Sequence, residues 1–297
     1  MKNKTGAARN KAAMAARVTA YPLVRIVLGI VLTFAPVPLT MIVVSQLVAK
    51  PYRIVWPQLL AAVLVWFGYR FYVRRVEKRQ PTELATQGMA RELGTGMLLG
   101  AGLVVLTFAV LAALGTYRFG GIDAPSIVLL IPLAEMLLLG MAEEMMFRGV
   151  VFGVTERSLG SKAAIAISAL VFCLAHLSNE GVSVLAAAAI VAYGVMQAAL
   201  YLKTRRLWAC IGSHIGWNYC LSQVFSSTVS GHATTHGLLR GGLVGDSLLT
   251  GGVFGVEGSL VALLLIGAAA AFLLLGPATD PGSPAAGAQL PSSQPLR

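Results

Sequence analysis

Charge is scarce in this 297-residue chain: 12% of its residues are Asp, Glu, Lys or Arg, whereas 57% are hydrophobic. Soluble domains carry about 25% charged residues, so the composition argues against an ordinary soluble enzyme and indicates a polytopic membrane protein. Acidic residues are fewer than basic ones, 12 against 23, and the net charge is +11. The Lys and Arg residues gather at the ends of apolar runs and form no basic stripe with interleaved aromatics, so we predict no nucleic-acid partner.

Cysteine is also rare. The three cysteines, Cys173, Cys210 and Cys220, lie in apolar segments and show neither CxxC nor Cys/His ligand spacing. We therefore predict buried free thiols and not a disulfide framework or a zinc knuckle. An internal repeat is missing as well, and with it the two related halves that many transporters contain.

The apolar residues that dominate the composition form runs long enough to cross a membrane as helices. They predict an all-α, polytopic transmembrane helical bundle with about eight spans, at 22–48, 55–73, 94–116, 126–155, 163–179, 183–202, 207–226 and 258–276. Prolines 36 and 38 in the first span and Pro132 in the fourth predict a kink in each. The Gly-, Ser- and Thr-rich stretch 227–257 is predicted to be an outer loop or a re-entrant lip.

Basic residues orient this predicted bundle. Those that follow spans two, four and six fall on the side of the basic N-terminal arm, and they are Arg74, Arg75, Lys78, Arg79, Arg157, Lys162, Lys203, Arg205 and Arg206. The positive-inside rule places this side in the cytoplasm, so both termini are predicted to be cytoplasmic.

Charge interrupts the fourth apolar run at Ala142-Glu143-Glu144-Met145-Met146-Phe147-Arg148. A charged group inside a membrane span is costly and marks a functional site by default. On a helix, Glu144 and Arg148 stand at i and i+4 and can pair, whereas Glu143 points about 100° away from Glu144. The pattern predicts one carboxylate tied to Arg148 and one that is free to move a proton. Taken alone, the cluster fits a solvated helix end equally well.

Two of the four histidines also lie in apolar runs. If spans four and five form an antiparallel hairpin, Glu143 and His176 both lie about 21 Å from the cytoplasmic turn, at about 1.5 Å per residue. By the same rise, His214 and Asn218 lie about 12 and 18 Å into span seven. A carboxylate, two imidazoles and an amide are thus predicted to meet in one layer of the membrane.

This set of groups suits the activation of water. A glutamate held away from bulk solvent can act as a general base, and His176 can help to hold or deprotonate the same water. His214 and Asn218 can donate hydrogen bonds to the oxyanion that forms from a peptide carbonyl. The set contains no good covalent nucleophile, so hydrolysis by an activated water is the simplest prediction.

The motifs Glu143-Glu144-x-x-x-Arg148, Phe172-x-x-x-His176 and His214-x-x-x-Asn218 follow one another in successive apolar spans. Over residues 126–226 they resemble the signature motifs of the CPBP (Abi) family of intramembrane endopeptidases, which includes the type II CAAX prenyl proteases. The resemblance implies that Glu143 activates water with help from His176, and that His214 and Asn218 stabilise the oxyanion. It assigns supporting positions to Glu144, Arg148 and Phe172.

The family is often labelled metalloprotease, and Glu143, His176 and His214 could supply a three-ligand zinc site. We favour a metal-free, glutamate-dependent site because the chain has no His-Glu-x-x-His helix and Asn218 would be a poor ligand. Zn²⁺ is the alternative cofactor.

The resemblance implies an intramembrane endopeptidase whose partners are the lipid bilayer and a membrane-associated protein or peptide substrate, such as a prenylated CAAX protein or another C-terminally anchored protein. We expect the bond to be cut near the cytoplasmic half of a membrane, and the composition suggests the bacterial inner membrane. The alternatives are a non-catalytic binding or immunity protein of the same fold and a small transporter with a proton-coupled Glu-His layer. The predicted organisation is a basic arm (1–20), N-terminal spans with a cytoplasmic connector (21–125), the catalytic core (126–276) and a disordered tail (277–297).

Overall fold

A computed structural model of the protein describes residues 21–234 and 237–276. The predicted basic arm and disordered tail lie outside the described residues. Most of the described chain is helical, and the α-helices are α1 (Pro22–Phe34), α2 (Pro36–Leu47), α3 (Trp56–Arg75), α4 (Met89–Ala113), α5 (Leu133–Glu144), α6 (Gly153–Leu159), α7 (Ser161–His176), α8 (Val184–Thr204), α9 (Leu207–Tyr219), α10 (Ser247–Thr250) and α11 (Leu260–Leu275). Two π-helical segments, Met145–Phe152 and Cys220–Val224, continue α5 and α9.

Each predicted span coincides with helix over most of its length. By length and apolarity, three helical stretches of the described chain can cross a membrane: Pro22–Leu47, which comprises α1 and α2, and the helices α4 and α8. The helices α7 and α11 are apolar but shorter. The helical class is therefore confirmed, while the total of eight crossings stays a prediction.

A small sheet corrects the all-α prediction. The strands β1 (Tyr117–Ile122) and β2 (Leu239–Leu243) pair in antiparallel register, with Tyr117 opposite Leu243 and an irregularity between Phe119 and Gly121. The second strand lies in the stretch that we predicted to be a loop or lip. The two strands are far apart along the chain, so their pairing depends on the tertiary fold. They are short, contain glycine and show no regular alternation of apolar and polar residues that would predict a strand.

The prolines act differently in the two spans. In the first span the regular helix is interrupted at Ala35, between α1 and α2, next to Pro36, while the kink itself stays a prediction. Pro132 instead immediately precedes α5, where a missing N–H costs little, so the regular helix of span four begins after this residue. The irregular part of span four is the π segment 145–152, which joins α5 to α6 in one unbroken helical stretch.

Glycines let α4 and α9 approach each other closely. A Cβ atom at Gly212 of α9 would lie 2.2 Å from the carbonyl oxygen of Leu93, and one at Gly216 would lie 2.3 Å from that of Met97. Gly96 meets the α9 backbone in the same way. Small residues spaced four apart are typical of helices that touch backbone to backbone in membranes. This contact holds α9, the helix of His214 and Asn218, against its neighbour.

The substitution Gly212→Ala is expected to destabilise the protein by about 1–3 kcal/mol, because a methyl group would be forced against a backbone that cannot move aside. Thermal unfolding of the purified protein in detergent measures the effect. Gly102→Ala is the matched control on α4, since a Cβ atom there meets nothing within 4 Å. Equal destabilisation by both substitutions would contradict the proposed packing.

Candidate active site

The three motifs converge on one cavity of about 580 Å³. Its walls include Glu143 of α5, Phe172 and His176 of α7, Tyr193 of α8, and His214 and Asn218 of α9. Residues of a loop beyond α9, here called the lip (229–234), line the same cavity. The predicted meeting of these groups in one layer is therefore what the structure shows, while their catalytic roles stay predictions.

Glu143 faces both imidazoles. Its Oε2 atom lies 3.8 Å from Nε2 of His176 and 4.0 Å from Nε2 of His214. That oxygen is buried and has no hydrogen-bond partner among the described residues. The side chain as a whole keeps 18% of its surface exposed. Glu143 is thus accessible from the cavity, and its Oε2 atom makes no hydrogen bond to the described residues.

Glu144 is paired through one oxygen, Oε1, whereas its buried Oε2 atom has no hydrogen-bond partner among the described residues. Its Oε1 atom accepts a hydrogen bond from Nη1 of Arg148 at 3.1 Å and lies 2.9 Å from Nδ1 of His214. The side chains of Glu144 and Arg148 have no exposed surface, which confirms the predicted pair and contradicts the solvated helix end. A buried carboxylate is tolerated only when opposite charge and hydrogen bonds satisfy it. The pair therefore joins α5 to the π segment and to α9.

His176 has a defined proton arrangement. Its Nδ1 atom lies 2.8 Å from the carbonyl oxygen of Phe172, which can only accept, so Nδ1 carries the proton in the neutral ring. The Nε2 lone pair then points towards Glu143. The ring also packs on Phe172 at 4.4 Å between centroids, and the guanidinium of Arg148 lies 4.8 Å from the centre of the Phe172 ring. Phe172 thereby connects the buried pair with His176.

Tyr193 contributes to the site although no sequence motif pointed to it. Its ring meets the ring of His214 edge to face at 6.1 Å, and its hydroxyl group is buried. The residue occupies an ordinary position in an apolar helix, so only packing reveals its contact.

Glu257 is the second residue that the motifs did not identify. Its Oε1 atom accepts from Nε1 of Trp217 at 2.6 Å, and its Oε2 atom accepts from the backbone N–H of Ser230 in the lip. Burial raises the pKa of the Glu257 carboxyl, and these two N–H donors oppose the rise. The carboxylate therefore ties the lip to α9, directly beside Asn218.

The substitution Glu257→Ala is expected to loosen the lip, because it leaves the buried N–H group of Trp217 and the half-buried N–H group of Ser230 without an acceptor. A buried donor without an acceptor costs about 1–3 kcal/mol. Limited proteolysis should then cut within 229–234 faster than in the wild type. Glu135→Ala removes an exposed carboxylate from the same cavity and should leave the rate unchanged. Unaltered proteolysis of both variants would contradict the role of Glu257 as a tether.

The substitution Arg148→Met is expected to destabilise the protein by about 3–5 kcal/mol, since it strands the buried charge of Glu144. Thermal unfolding in detergent measures the loss. Arg205→Met is the matched control: Arg205 pairs with Glu156 at 2.6 Å but is 56% exposed. Exposed pairs contribute about 0–1 kcal/mol, so a large effect of both substitutions would contradict the distinction.

Among residues 21–234 and 237–276, no group of three His, Cys, Asp or Glu side chains is arranged to hold a metal ion. Zn²⁺ on Glu143, His176 and His214 stays the alternative prediction. The three cysteines are buried and free, as predicted.

Residues 124–220 match the family model described as type II CAAX prenyl endopeptidase Rce1-like. The matched segment runs from just before α5 to the end of α9 and contains all three motifs. The resemblance predicted from the motifs is thus confirmed over this segment, and the family is one of proteases. Searches of curated proteins and of solved structures found no match to the chain.

Proposed function

We propose that this integral membrane protein, whose central segment matches a protease family, is an endopeptidase that cuts a membrane-associated protein with water activated by Glu143. The proposal depends on one observation: an uncommitted carboxylate faces two imidazoles inside a cavity. The segment match supports a peptidase in general, and the geometry supports this particular chemistry.

The two adjacent glutamates have separate tasks in this proposal. A general base must reach the proton that it removes. The side chain of Glu143 is 18% exposed, whereas that of Glu144 is sealed and bonded to Arg148 and His214. Glu143 is therefore the base, and Glu144 positions His214.

The spacing around Glu143 suits a bridging water. Distances of 3.8 and 4.0 Å from Oε2 to the imidazole nitrogens exceed a direct hydrogen bond. A water in contact with Glu143 and His176 donates one proton to each, because Nε2 of His176 carries a lone pair.

The reaction then follows from these positions. Glu143 removes a proton from the water, and the oxygen attacks the peptide carbonyl carbon while the π electrons move to the carbonyl oxygen. The imidazolium of His214, whose charge the carboxylate of Glu144 balances, and the amide of Asn218 donate hydrogen bonds to this oxyanion. As the carbon–nitrogen bond breaks, Glu143 passes its proton to the departing amine. The chain's own groups thus complete the cycle without a metal ion.

The substitution Glu143→Gln is expected to lower peptide cleavage by about 10²–10⁴-fold, the usual contribution of a general base. The assay is cleavage of a membrane-anchored peptide library by purified protein in detergent, with thermal unfolding as a check on folding. Glu135→Gln is the control, because it neutralises another carboxylate on the cavity wall. Full activity of Glu143→Gln would refute the proposal.

Two further arms separate the alternatives. Activity that survives a strong zinc chelator supports metal-free catalysis, whereas loss with chelator and recovery with Zn²⁺ would assign Glu143, His176 and His214 as ligands. If the wild type cuts nothing and a partner is retained equally by wild type and Glu143→Gln, the protein is a non-catalytic binding protein of this fold.

A further inference from the structure

The loops that are rich in Lys and Arg lie at one end of the helices, and the loops that line the cavity lie at the other end. From this we infer that the cavity opens on the non-cytoplasmic face of the membrane, so that the substrate is a membrane-anchored polypeptide whose cleaved segment is exposed outside the cytoplasm. This inference rests on the proposed peptidase function and states on which side of the membrane the cleavage takes place.

Ion pairs and hydrogen bonds identify one end of the bundle. Glu77, just after α3, lies 3.9 Å from Arg25 near the start of α1 and also pairs with Arg157 near the end of α6. Arg206, between α8 and α9, donates to the carbonyl oxygen of Gln87 before α4 at 2.7 Å. The connector after α3 thus contacts the loops that follow α6 and α8, and these segments share one end.

This end is strongly basic. Besides the residues in these contacts, its loops and helix ends carry Arg74, Arg75, Lys78, Lys162 and Lys203. The other end carries fewer cations, and one of them, Arg240, pairs with Asp123 at 2.8 Å. An excess of Lys and Arg in short loops marks the cytoplasmic side of a membrane protein. The basic end is therefore assigned to the cytoplasm.

Loops of the opposite end line the cavity, and His232 and Ala233 of the lip are exposed there. His176 is the last residue of α7, a helix of 16 residues that starts beside the basic loop at Ser161. Just beyond it, Nδ2 of Asn179 donates to the carbonyl oxygen of Ser230 in the lip at 3.0 Å. The N–H of Gly231 donates to the carbonyl oxygen of Phe254 at 2.9 Å. The cavity wall at this end is thus built from the lip and its neighbouring loops.

Depth along the helices agrees with this placement. Glu143 lies 14 residues before Arg157, or about 21 Å from the basic end, in a hydrocarbon layer of about 30 Å. This depth places Glu143 in the half of the layer away from the basic end, whereas we expected cleavage near the cytoplasmic half. A C-terminus that is modified in the cytoplasm would have to cross most of the membrane to reach Glu143.

Cysteine labelling in intact cells tests the orientation. The natural cysteines are buried, so the wild type serves as the unlabelled background. We expect a membrane-impermeant maleimide to label Ala233→Cys in the lip and Arg118→Cys in β1 from outside, because both residues are exposed. Lys162→Cys, exposed at the basic end, should react only after permeabilisation. The reverse pattern, or labelling of Arg118→Cys without Ala233→Cys, would overturn the inference.

Two reporters test the substrate. Each is a single-span protein with the same cleavable segment, placed either outside or inside the cytoplasm. The segment is neutral to basic, because the cavity wall carries Glu135, Glu143 and Glu257 and no Lys or Arg among its described residues. We expect the wild type to cut the outer reporter alone and Glu143→Gln to cut neither.

The outcomes separate the two proposals. Cleavage of the inner reporter alone would overturn the inference about the side and would leave the peptidase function standing. Cleavage of neither reporter would contradict the peptidase function, and with it a substrate on either side, while the labelling would still decide where the cavity opens.

Discussion

The structure of the site depends on the buried charge of Glu144. A carboxylate with no exposed surface has to be neutralised inside the protein, and it receives Arg148 from its own helical stretch and His214 from α9. These contacts fix α5 relative to α9 and orient the imidazole that faces the cavity. They also leave Oε2 of Glu143 without a hydrogen-bond partner among the described residues. The two adjacent glutamates therefore have different partners because successive residues of a helix point about 100° apart.

Backbone packing places the other components around this pair. The glycines of α4 and α9 bring the two helices into direct contact, which keeps His214 at the level of Glu144. The π segment 145–152 lies where the functional residues of span four are concentrated, as such segments often do. Phe172 packs between Arg148 and His176 and so links the two motifs. The reactive groups are thus held by rigid elements, whereas Glu257 attaches the lip.

Much of the site could be predicted from sequence because charged and polar residues are so unusual in apolar helices. Glu143, Glu144, Arg148, His176, His214 and Asn218 were all identified in this way, and they lie at one site. Tyr193 and Trp217 were missed because aromatic residues are ordinary in such helices. The sheet and the contact of Glu257 with the lip were missed because each depends on a partner far away in the chain.

The sequence by itself determined the helical class and the spacing of the polar groups along each helix, since a helix converts residue spacing into distance along its axis at about 1.5 Å per residue. Only the tertiary structure decided which face of each helix turns inward, which glutamate is sealed and which loops line the cavity. Those features depend on rotation about each helix axis and on contacts between remote segments. A local pattern carries no information about either, because both are set by packing against neighbouring helices.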